Sequence, residues 1–416
     1  LVRLIGEDVR VVAIGESAHA THEFYTLRHR LSRFLVERMN FTALAWESGF
    51  PEGFMVDDWI HGGQQDRERI LAEGISMHLG RCQEMSDLLD WLRARNASNS
   101  NSVRFYGLDL PGSGATLLPA LEVVGSFIES VDPGFRPRLA RLRELAASFG
   151  PGTAPNNTSK IVIAGTAAIQ QYVALPVADR NELTALLADL AARFDALRRT
   201  YVERSDAARY ELVRQHLRVA AQLDLQLRIV ATGMAGDTAA YEANIRDMMM
   251  ADTVEWVLGR EKRIIVLAHN GHIQRTPIAT CAGPIDTLGV HLAHRLGSRY
   301  LTIGTTCGRG EIIIMRTTNV DGSPETELVI RDLPPIGDDI IDSVLDSSLA
   351  GTALLDLRTL DPRSASLIDA AHRMRMQDQV LEIDVRRSFD MLIHVPCISL
   401  WTSPVNATLP DERGKT

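Results

Sequence analysis

Lysine is nearly absent from this chain of 416 residues. It occurs only as Lys160, Lys262 and Lys415, so 44 basic residues less three lysines leave 41 arginines. The sequence contains no GxxxxGK[ST] phosphate-binding loop, and few lysines are present that could form a Schiff base. P-loop and pyridoxal-phosphate chemistry are therefore disfavoured, while the arginine bias itself indicates a GC-rich genome.

Cysteine pairs, long apolar runs and excess positive charge are also missing. The cysteines Cys82, Cys281, Cys307 and Cys397 include no CxxC spacing, and we interpret them as core thiols of a reducing compartment. No apolar run approaches the ~18–20 residues of a membrane span, and no basic and apolar leader opens the chain. The formal net charge of −9 disfavours nucleic acid and anionic membranes as partners. We therefore expect a cytoplasmic protein. Because the sequence does not open on a methionine, we also expect the protein to begin further upstream.

Short apolar runs alternate with segments of helical periodicity along the chain. Runs of this kind, bounded by polar residues, are typical of buried parallel strands. The first is followed by a helical pattern for which Thr21 is the predicted N-cap. We predict an α/β fold with a mainly parallel central sheet flanked by helices. The predicted strands are residues 9–14, 41–46, 103–108, 263–268, 300–305, 311–315, 327–330, 353–355 and 391–394.

Residues from about 116 to 259 carry helical periodicity and no strand-like run. This pattern divides the chain into an α/β core, 1–115 plus 260–416, and an all-helical insertion, 116–259. An insertion at the strand ends that carry a site commonly forms a wall or lid over the substrate cleft. Within it we predict helices at about 134–148, 160–173, 181–200, 204–230 and 237–259.

Four of the predicted strands end in ionisable residues. Gly15–His19 follow the predicted strand at 9–14, and Glu47 follows the one at 41–46. Asp109 follows the strand at 103–108, and His269–His272 follow the one at 263–268. A single such histidine is more often structural than catalytic, and a single glutamate can be a helix N-terminal charge. Ligands of open α/β sheets, however, bind at the carboxyl ends of the strands. We therefore expect six side chains to converge: Glu16, His19, Glu47, Asp109, His269 and His272.

Such a cluster allows more than one chemistry. A histidine flanked by carboxylates suits a general base acting on water. Histidine and glutamate also suit zinc or another divalent metal. HxxH spacing recurs at His19/His22 and at His269/His272, but HExxH is absent, so a metal-dependent hydrolase stays open as an alternative.

The remaining polar candidates each have two interpretations. Neither Ser17 nor Ser48 lies in a GxSxG elbow, so a serine nucleophile is not indicated. Arg28 and Arg246 are either solvated charges on helices or clamps for a substrate oxygen or carboxylate.

Five motifs together resemble the erythromycin esterase family. They occur in the family's order and span about residues 10–273, whereas the rest of the chain is compatible but less specific. The motifs are Gly15-Glu16-Ser17-Ala18-His19 with Glu23-Phe24, Trp46-Glu47-Ser48-Gly49-Phe50, Phe105-Tyr106-Gly107-Leu108-Asp109, Asn244-Ile245-Arg246-Asp247 with Met250, and Ala268-His269-Asn270-Gly271-His272-Ile273.

The resemblance implies an esterase-like hydrolase of a carboxylic ester or macrocyclic lactone, without a cofactor, in which His19 is the general base. It implies Glu16, Glu47, Arg28, His269 and His272 as active-site companions. Either Glu16 or Glu47 would hold His19, and His269, His272 or Arg28 would stabilise the oxyanion. For substrate binding we predict Ser17, Asp109, Arg246 and Asn270.

The resemblance leaves the substrate open. Family members include macrolide-lactone-opening resistance enzymes and proteins labelled as succinoglycan biosynthesis proteins. The partner would be a small ester, lactone or polyketide-like molecule. The same base could instead serve a natural-product biosynthetic enzyme through transesterification, cyclisation or elimination. A binding protein with an inactive site is disfavoured by the intact acid–base set.

Overall fold

A central sheet organises the computed structural model of the chain. The structure describes residues 1–150, 162–236, 244–280, 283–320, 323–335 and 337–414. Its strands are β1 Val11–Ile14, β2 Ala43–Gly49, β3 Arg104–Asp109, β4 Ile264–Leu267, β5 Ile278–Thr280, β6 Gly283–Ile285, β7 Tyr300–Val320, β8 Ser323–Asp332, β9 Ala353–Asp356, β10 Arg373–Met376, β11 Gln379–Glu382 and β12 Met391–Ile398.

The main sheet has the strand order β3-β2-β4-β1-β7-β12-β9, and β8 pairs with β7. Every neighbouring pair from β3 to β12 is parallel, while β9 and β8 pair antiparallel with β12 and β7. The predicted α/β class with a mainly parallel sheet is confirmed. Strands β1 (VVAI) and β4 (IIVL) are buried along their whole length, as apolar runs covered by helices on both faces must be.

Helices cover both faces of this sheet. Val11 and Ala13 of β1 belong to one buried cluster, which includes most of the insertion helices, and Val12 and Ile14 belong to the other. The helices are α1 Val2–Ile5, α2 His22–Met39, α3 Phe50–Ile60, α4 Arg67–Arg69, α5 Gln83–Ser98, α6 Leu118–Val131, α7 Arg136–Ala147, α8 Val162–Ala174, α9 Val177–Ala196, α10 Arg198–Glu203, α11 Ala207–Met234, α12 Ile245–Leu258, α13 Asn270–Ile273, α14 Leu288–Leu296, α15 Ile341–Ser348, α16 Pro362–Ala370 and α17 Val385–Ser388.

Segment 116–259 contains helices and no strand among its described residues, with differences from the predicted bounds. Helix α6 was not predicted, and the helix predicted at 181–200 is divided between α9 and α10 at Leu197. The predicted helix at 237–259 begins at Ile245, where the Asn244 side chain caps it by accepting from the Asp247 amide; its residues 237–243 lie outside the described residues. Residues 160 and 161 of another predicted helix also lie outside them.

Three local predictions need correction. The strands predicted at 300–305 and 311–315 form one continuous strand, β7. Helix α2 does begin after Thr21, but the Thr21 hydroxyl donates to the carbonyl of His19 at 3.3 Å and does not cap the helix. Cys82 and Cys307 are buried free thiols, whereas Cys397 is exposed, so the core-thiol interpretation is wrong there. Cys281 lies outside the described residues.

No described helix has both the length and the apolar character needed to cross a membrane.

Candidate active site

A cavity of about 480 Å³ lies at the carboxyl ends of the parallel strands. One of its apolar walls comes from β7 and β8, and another from α8 and α11, through Ile169, Leu227 and Val230. The helical insertion therefore lines the cavity at the sheet edge where the ionisable residues were predicted. The charged and polar side chains in its lining include His19, Glu47, Arg246, His269, His272 and Gln377.

The loops that follow β1 and β4 approach each other closely. A Cβ atom at Gly15 would lie 2.0 Å from Oδ1 of Asn270, so only glycine fits at this position. The Asn270 amide donates to the carbonyl of Glu16 at 2.8 Å, and its side chain exchanges hydrogen bonds with the backbone of Thr305 at 2.7 and 3.1 Å. Asn270 thus joins the segments that follow β1 and β4 to each other and to β7, and it brings the loop that carries His19 to the loop that carries His269.

His19 is held by Glu16, three residues before it. Nδ1 of His19 lies 2.7 Å from Oε1 of Glu16 and donates to this carboxylate. Oε2 of Glu16 forms an ion pair with Nη1 of Arg28 at 2.8 Å, and Nη2 of Arg28 donates to the carbonyl of Ala268 at 2.6 Å. Within the described part of the chain, Nε2 of His19 has no protein hydrogen-bond partner. Since the ring lines the cavity, this nitrogen is available to a molecule there.

The charges around His19 favour its protonated form. Burial lowers the pKa of His19, but the hydrogen bond and charge of Glu16 outweigh burial and raise that pKa above its ordinary value. Burial also raises the pKa of Glu16, yet the positive charge of Arg28 and the bond from His19 leave it lowered. Glu16 is therefore an ionised hydrogen-bond acceptor that makes His19 a stronger base.

A second histidine, His272, lies between two carboxylates. Its Nδ1 is 2.9 Å from Asp247, and its Nε2 is 3.2 Å from Oε1 of Glu47. Burial lowers the pKa of His272, but the charges of Asp247 and Glu47 raise it to about 10. At neutral pH His272 is consequently an imidazolium, with both N–H groups donated to carboxylates. Glu47 lies in the part of β2 where the pairing with β3 is irregular, between Trp46 and Gly49.

Arg246 of α12 brings a permanent positive charge to the cavity. Its Nε and Nη2 donate to the two carboxylate oxygens of Asp109 at 2.9 and 2.8 Å, and Nη2 also lies 3.1 Å from Glu47. Burial lowers the pKa of Arg246, but the charges of Asp109 and Glu47 raise it above its ordinary value. Two-point pairing of this kind fixes the guanidinium plane.

His269 is fully engaged by the protein. Its Nε2 lies 3.3 Å from the carbonyl of Ser17, and its Nδ1 accepts from the amide of Gly271 at 3.1 Å as the N-cap of α13. Burial and the nearby His19 lower the pKa of His269 to about 3. The ring is therefore neutral, with its proton on Nε2, and its centroid lies 5.0 Å from that of His19.

At neutral pH the carboxylates of the site outnumber its cations other than His19 by one. Protonation of His19 balances the set, which agrees with the raised pKa of this histidine. The carboxylates are Glu16, Glu47, Asp109 and Asp247, and the cations are Arg28, Arg246 and His272.

Five predicted residues do not line the cavity: Glu16, which is 2% exposed and holds His19 from behind, and four others. Arg28, Ser17, Asp109 and Asn270 are each 1% exposed or less. Arg28 lies behind Glu16, and the Ser17 hydroxyl points toward the thiol of Cys307 at 3.9 Å. Because these four side chains are buried and do not line the cavity, the structure does not place them against a substrate. Arg246 alone of the predicted substrate-binding residues lines the cavity.

Two residues were not predicted. Asp247 is adjacent to Arg246 in the Asn244–Asp247 motif, and a carboxylate in the first turn of a helix is usually explained by the helix dipole. Gln377 accepts a hydrogen bond from the amide of His19 at 2.9 Å. It lies in a stretch without a recognisable motif, so only the folded chain identifies it.

The two HxxH pairs do not form a shared metal site. His22 bonds to Glu84, with 2.5 Å between Nδ1 and Oε1, and does not line the cavity. Among the described residues, no three or more histidine, cysteine or acidic side chains are arranged to hold a metal ion.

The chain is similar to known erythromycin esterases. The erythromycin esterase family model matches residues 36–398. An erythromycin esterase type II of Escherichia coli is 32% identical over 318 residues, covering 74% of this chain and 71% of the relative. The type I enzyme of the same species is 26% identical over 407 residues, covering 94% and 91%. A solved erythromycin esterase mutant, EreC in its open conformation, has a TM-score of 0.78 at 21% identity and covers 97% of this chain and 94% of its own.

The family model and these relatives identify the chain as an esterase-like hydrolase that acts on ester or lactone bonds. The chain belongs to the erythromycin esterase family.

Proposed function

We propose that the chain hydrolyses an apolar carboxylic ester or macrocyclic lactone by direct attack of water, with His19 as the general base. One observation carries the proposal: Glu16 holds Nδ1 of His19 at 2.7 Å while the ring lines a largely apolar cavity. A buried carboxylate fixes the tautomer and supports the imidazolium that forms, and the opposite nitrogen receives the proton.

The reaction divides into two proton transfers. Nε2 of His19 takes a proton from water as the water oxygen attacks the carbonyl carbon. The tetrahedral intermediate then collapses, the carbon–oxygen bond to the alcohol breaks, and the His19 imidazolium returns its proton to the departing alkoxide. A carboxylate and an alcohol result, joined in one molecule when the substrate is a lactone. Positioned bases of this kind typically contribute ~10²–10⁴-fold in rate.

Arg246 is the best placed donor for the developing oxyanion. Its Nη1 lies 3.4 Å from Nε2 of His272, which is protonated and cannot accept a hydrogen bond. The Nη1 hydrogens are therefore available to a molecule in the cavity, where a fixed cation stabilises negative charge. His272 itself donates to Asp247 and Glu47, and Arg28 acts through Glu16. These contacts make His272 and Arg28 positioning residues.

The relatives bear names that indicate a macrolide substrate, and the cavity is compatible with one. Its volume of about 480 Å³ lies within the usual range of small-molecule sites. Apolar side chains from β7, β8, α8 and α11 contribute to its walls. We therefore infer that a macrolide lactone is the substrate, that the insertion contributes a wall of the substrate cleft, and that lactone opening would confer resistance to the antibiotic.

Isotope labelling tests this proposal. Turnover of erythromycin in H₂¹⁸O should yield a product that has gained one water, with the label in the carboxylate. The finished product, incubated with enzyme in labelled water, controls for exchange after the reaction. An isomeric, unlabelled product would contradict hydrolysis and indicate transesterification or cyclisation by a biosynthetic enzyme, in which a substrate hydroxyl replaces water.

A further inference from the structure

Gln377 connects the His19 loop to a wall of the cavity. It lies at the turn between β10 and β11, with a φ of 59°, a conformation that is uncommon for residues other than glycine. Its side chain lines the cavity. Strained backbone positions of this kind occur preferentially at functional sites, where the surrounding structure maintains them.

Three hydrogen bonds from this one residue reach two parts of the site. The backbone N–H of Gln377 donates to the carbonyl of Ser17 at 2.6 Å, and its Oε1 accepts from the amide of His19 at 2.9 Å. Its Nε2 donates to the carbonyl of Ile313 at 2.5 Å, on β7. The side chain therefore spans from the backbone of His19 to the strand that forms one cavity wall.

The hairpin that carries Gln377 is itself anchored to β7. The buried carboxylate of Asp342 accepts from the amide of Cys307 at 3.1 Å and from the amide of Arg375 at 2.9 Å. Arg375, which is 1% exposed, donates to the carbonyls of Gly308 at 3.2 Å and Pro334 at 2.5 Å. Because these groups are buried and bonded, the turn at Gln377 has a defined position relative to the sheet.

We propose that Gln377 is a positioning residue for His19, which sets the place of the imidazole relative to the cavity through the backbone of Ser17 and His19. The inference rests on the proposed function, in which His19 is the base. The segment between β1 and α2 includes Ala20 at a φ of 58°, so its conformation depends on external bonds of this kind. A displacement of about 1 Å in a reacting group can cost ~10²-fold in rate.

The test is Gln377→Asn, with Gln379→Asn as the matched control. Asparagine tolerates a positive φ and keeps the backbone N–H, but its shorter side chain cannot bond both His19 and Ile313. We expect kcat for a macrolide or simple ester to fall by about 10²-fold, with KM close to the wild-type value. Gln379 is exposed on β11 of the same hairpin, and its variant should keep wild-type kcat.

A double variant that combines Gln377→Asn with His19→Asn tests this inference separately from the proposed function. If Gln377 acts through His19, Gln377→Asn should lower kcat no further in the His19→Asn background. Wild-type kcat in Gln377→Asn, or an undiminished effect in that background, would overturn the inference alone. Wild-type kcat in His19→Asn would instead overturn the proposed function.

A second variant guards against a failure to fold. Gln377→Glu keeps the side-chain length and the acceptor for the His19 amide but loses the donor to Ile313. Should Gln377→Asn not fold, Gln377→Glu should show a smaller loss of kcat, again with unchanged KM. Unchanged kcat in this variant would overturn the inference.

Discussion

Oε1 of Glu16 lies 2.7 Å from Nδ1 of His19, and this contact decides which ring nitrogen is available in the cavity. Arg28 binds the other oxygen of the same carboxylate, so base, carboxylate and arginine form one chain of charges. Changes at each member should therefore affect the pKa of His19 in directions that the charges predict.

Loss of the base should nearly abolish turnover. His19→Asn removes the nitrogen that accepts the proton from water, and we expect kcat to fall by about 10²–10⁴-fold with an unchanged circular dichroism spectrum. His294→Asn, at an exposed position of α14, is the matched control and should retain full activity. Full activity in the His19 variant would show that His19 is structural.

Removal of the Glu16 charge should shift the pH–rate profile to lower pH. His19 acts in its neutral form, so kcat/KM rises with pH through the pKa of His19, which Glu16 holds above its ordinary value. In Glu16→Gln the pKa of His19 falls, so the acid limb of the pH–rate profile should move to lower pH. The plateau rate should also fall by about 10²–10⁴-fold, because an amide no longer fixes the tautomer. An acid limb that stays in place would mean that another group titrates.

Removal of the Arg28 charge should shift the acid limb in the opposite direction. Arg28 lowers the pKa of His19, so the limb of Arg28→Met should move to higher pH. The variant removes the arginine partner of the buried Glu16, and urea denaturation should show a loss of about 3–5 kcal/mol in the free energy of unfolding.

Arg33→Met, on the same helix, is the control for stability. Arg33 is half exposed and lies 3.7 Å from Glu37, so its loss should cost less than about 1 kcal/mol. Equal losses in the two variants would contradict the role assigned to the buried pair.

His272 should make the folded state less stable in alkali. Its pKa, near 6.5 in an unfolded chain, is raised to about 10 in the folded protein. Because the folded state binds this proton more tightly, the stabilisation is complete below pH ~6.5 and is lost as pH rises through about 10. Unfolding free energies between these pH values should decline in wild type and decline less in His272→Gln. Identical slopes would show that His272 does not carry this charge.

Chelation should leave the activity intact. If His19 and Glu16 activate water, dialysis against EDTA should not change kcat, and elemental analysis should show no stoichiometric metal. Loss of activity that zinc or manganese restores would contradict this mechanism. It would place Glu16, His19 and His269 in the role of metal ligands.

The order of residues along the chain was enough to predict that the site lies at one edge of a parallel sheet. Apolar runs such as Val11–Ile14 and Ile264–Leu267 mark buried strands, and parallel strands bring their carboxyl ends together. The approach of Glu16, Glu47 and His269 followed from that rule. The family motifs then predicted the class of reaction.

Pairing within the cluster required the tertiary structure. Sequence left Glu16 and Glu47 as equal candidates to hold His19, but the folded chain commits Glu47 to His272, Arg246 and the amide of His269. Side-chain direction depends on local backbone geometry, such as the irregular pairing of β2, and this leaves no periodic pattern in the sequence.

Burial likewise separates residues that share a motif. Ser17 and Asn270 stand beside His19 and His269 in sequence, yet they face the protein interior and not the cavity. Gln377 is 358 residues from His19 along the chain and bonds to its amide. A contact of this kind depends on how β10 and β11 pack against β7. That packing is decided by the buried Asp342 and Arg375, through hydrogen bonds to backbone groups that every residue type possesses.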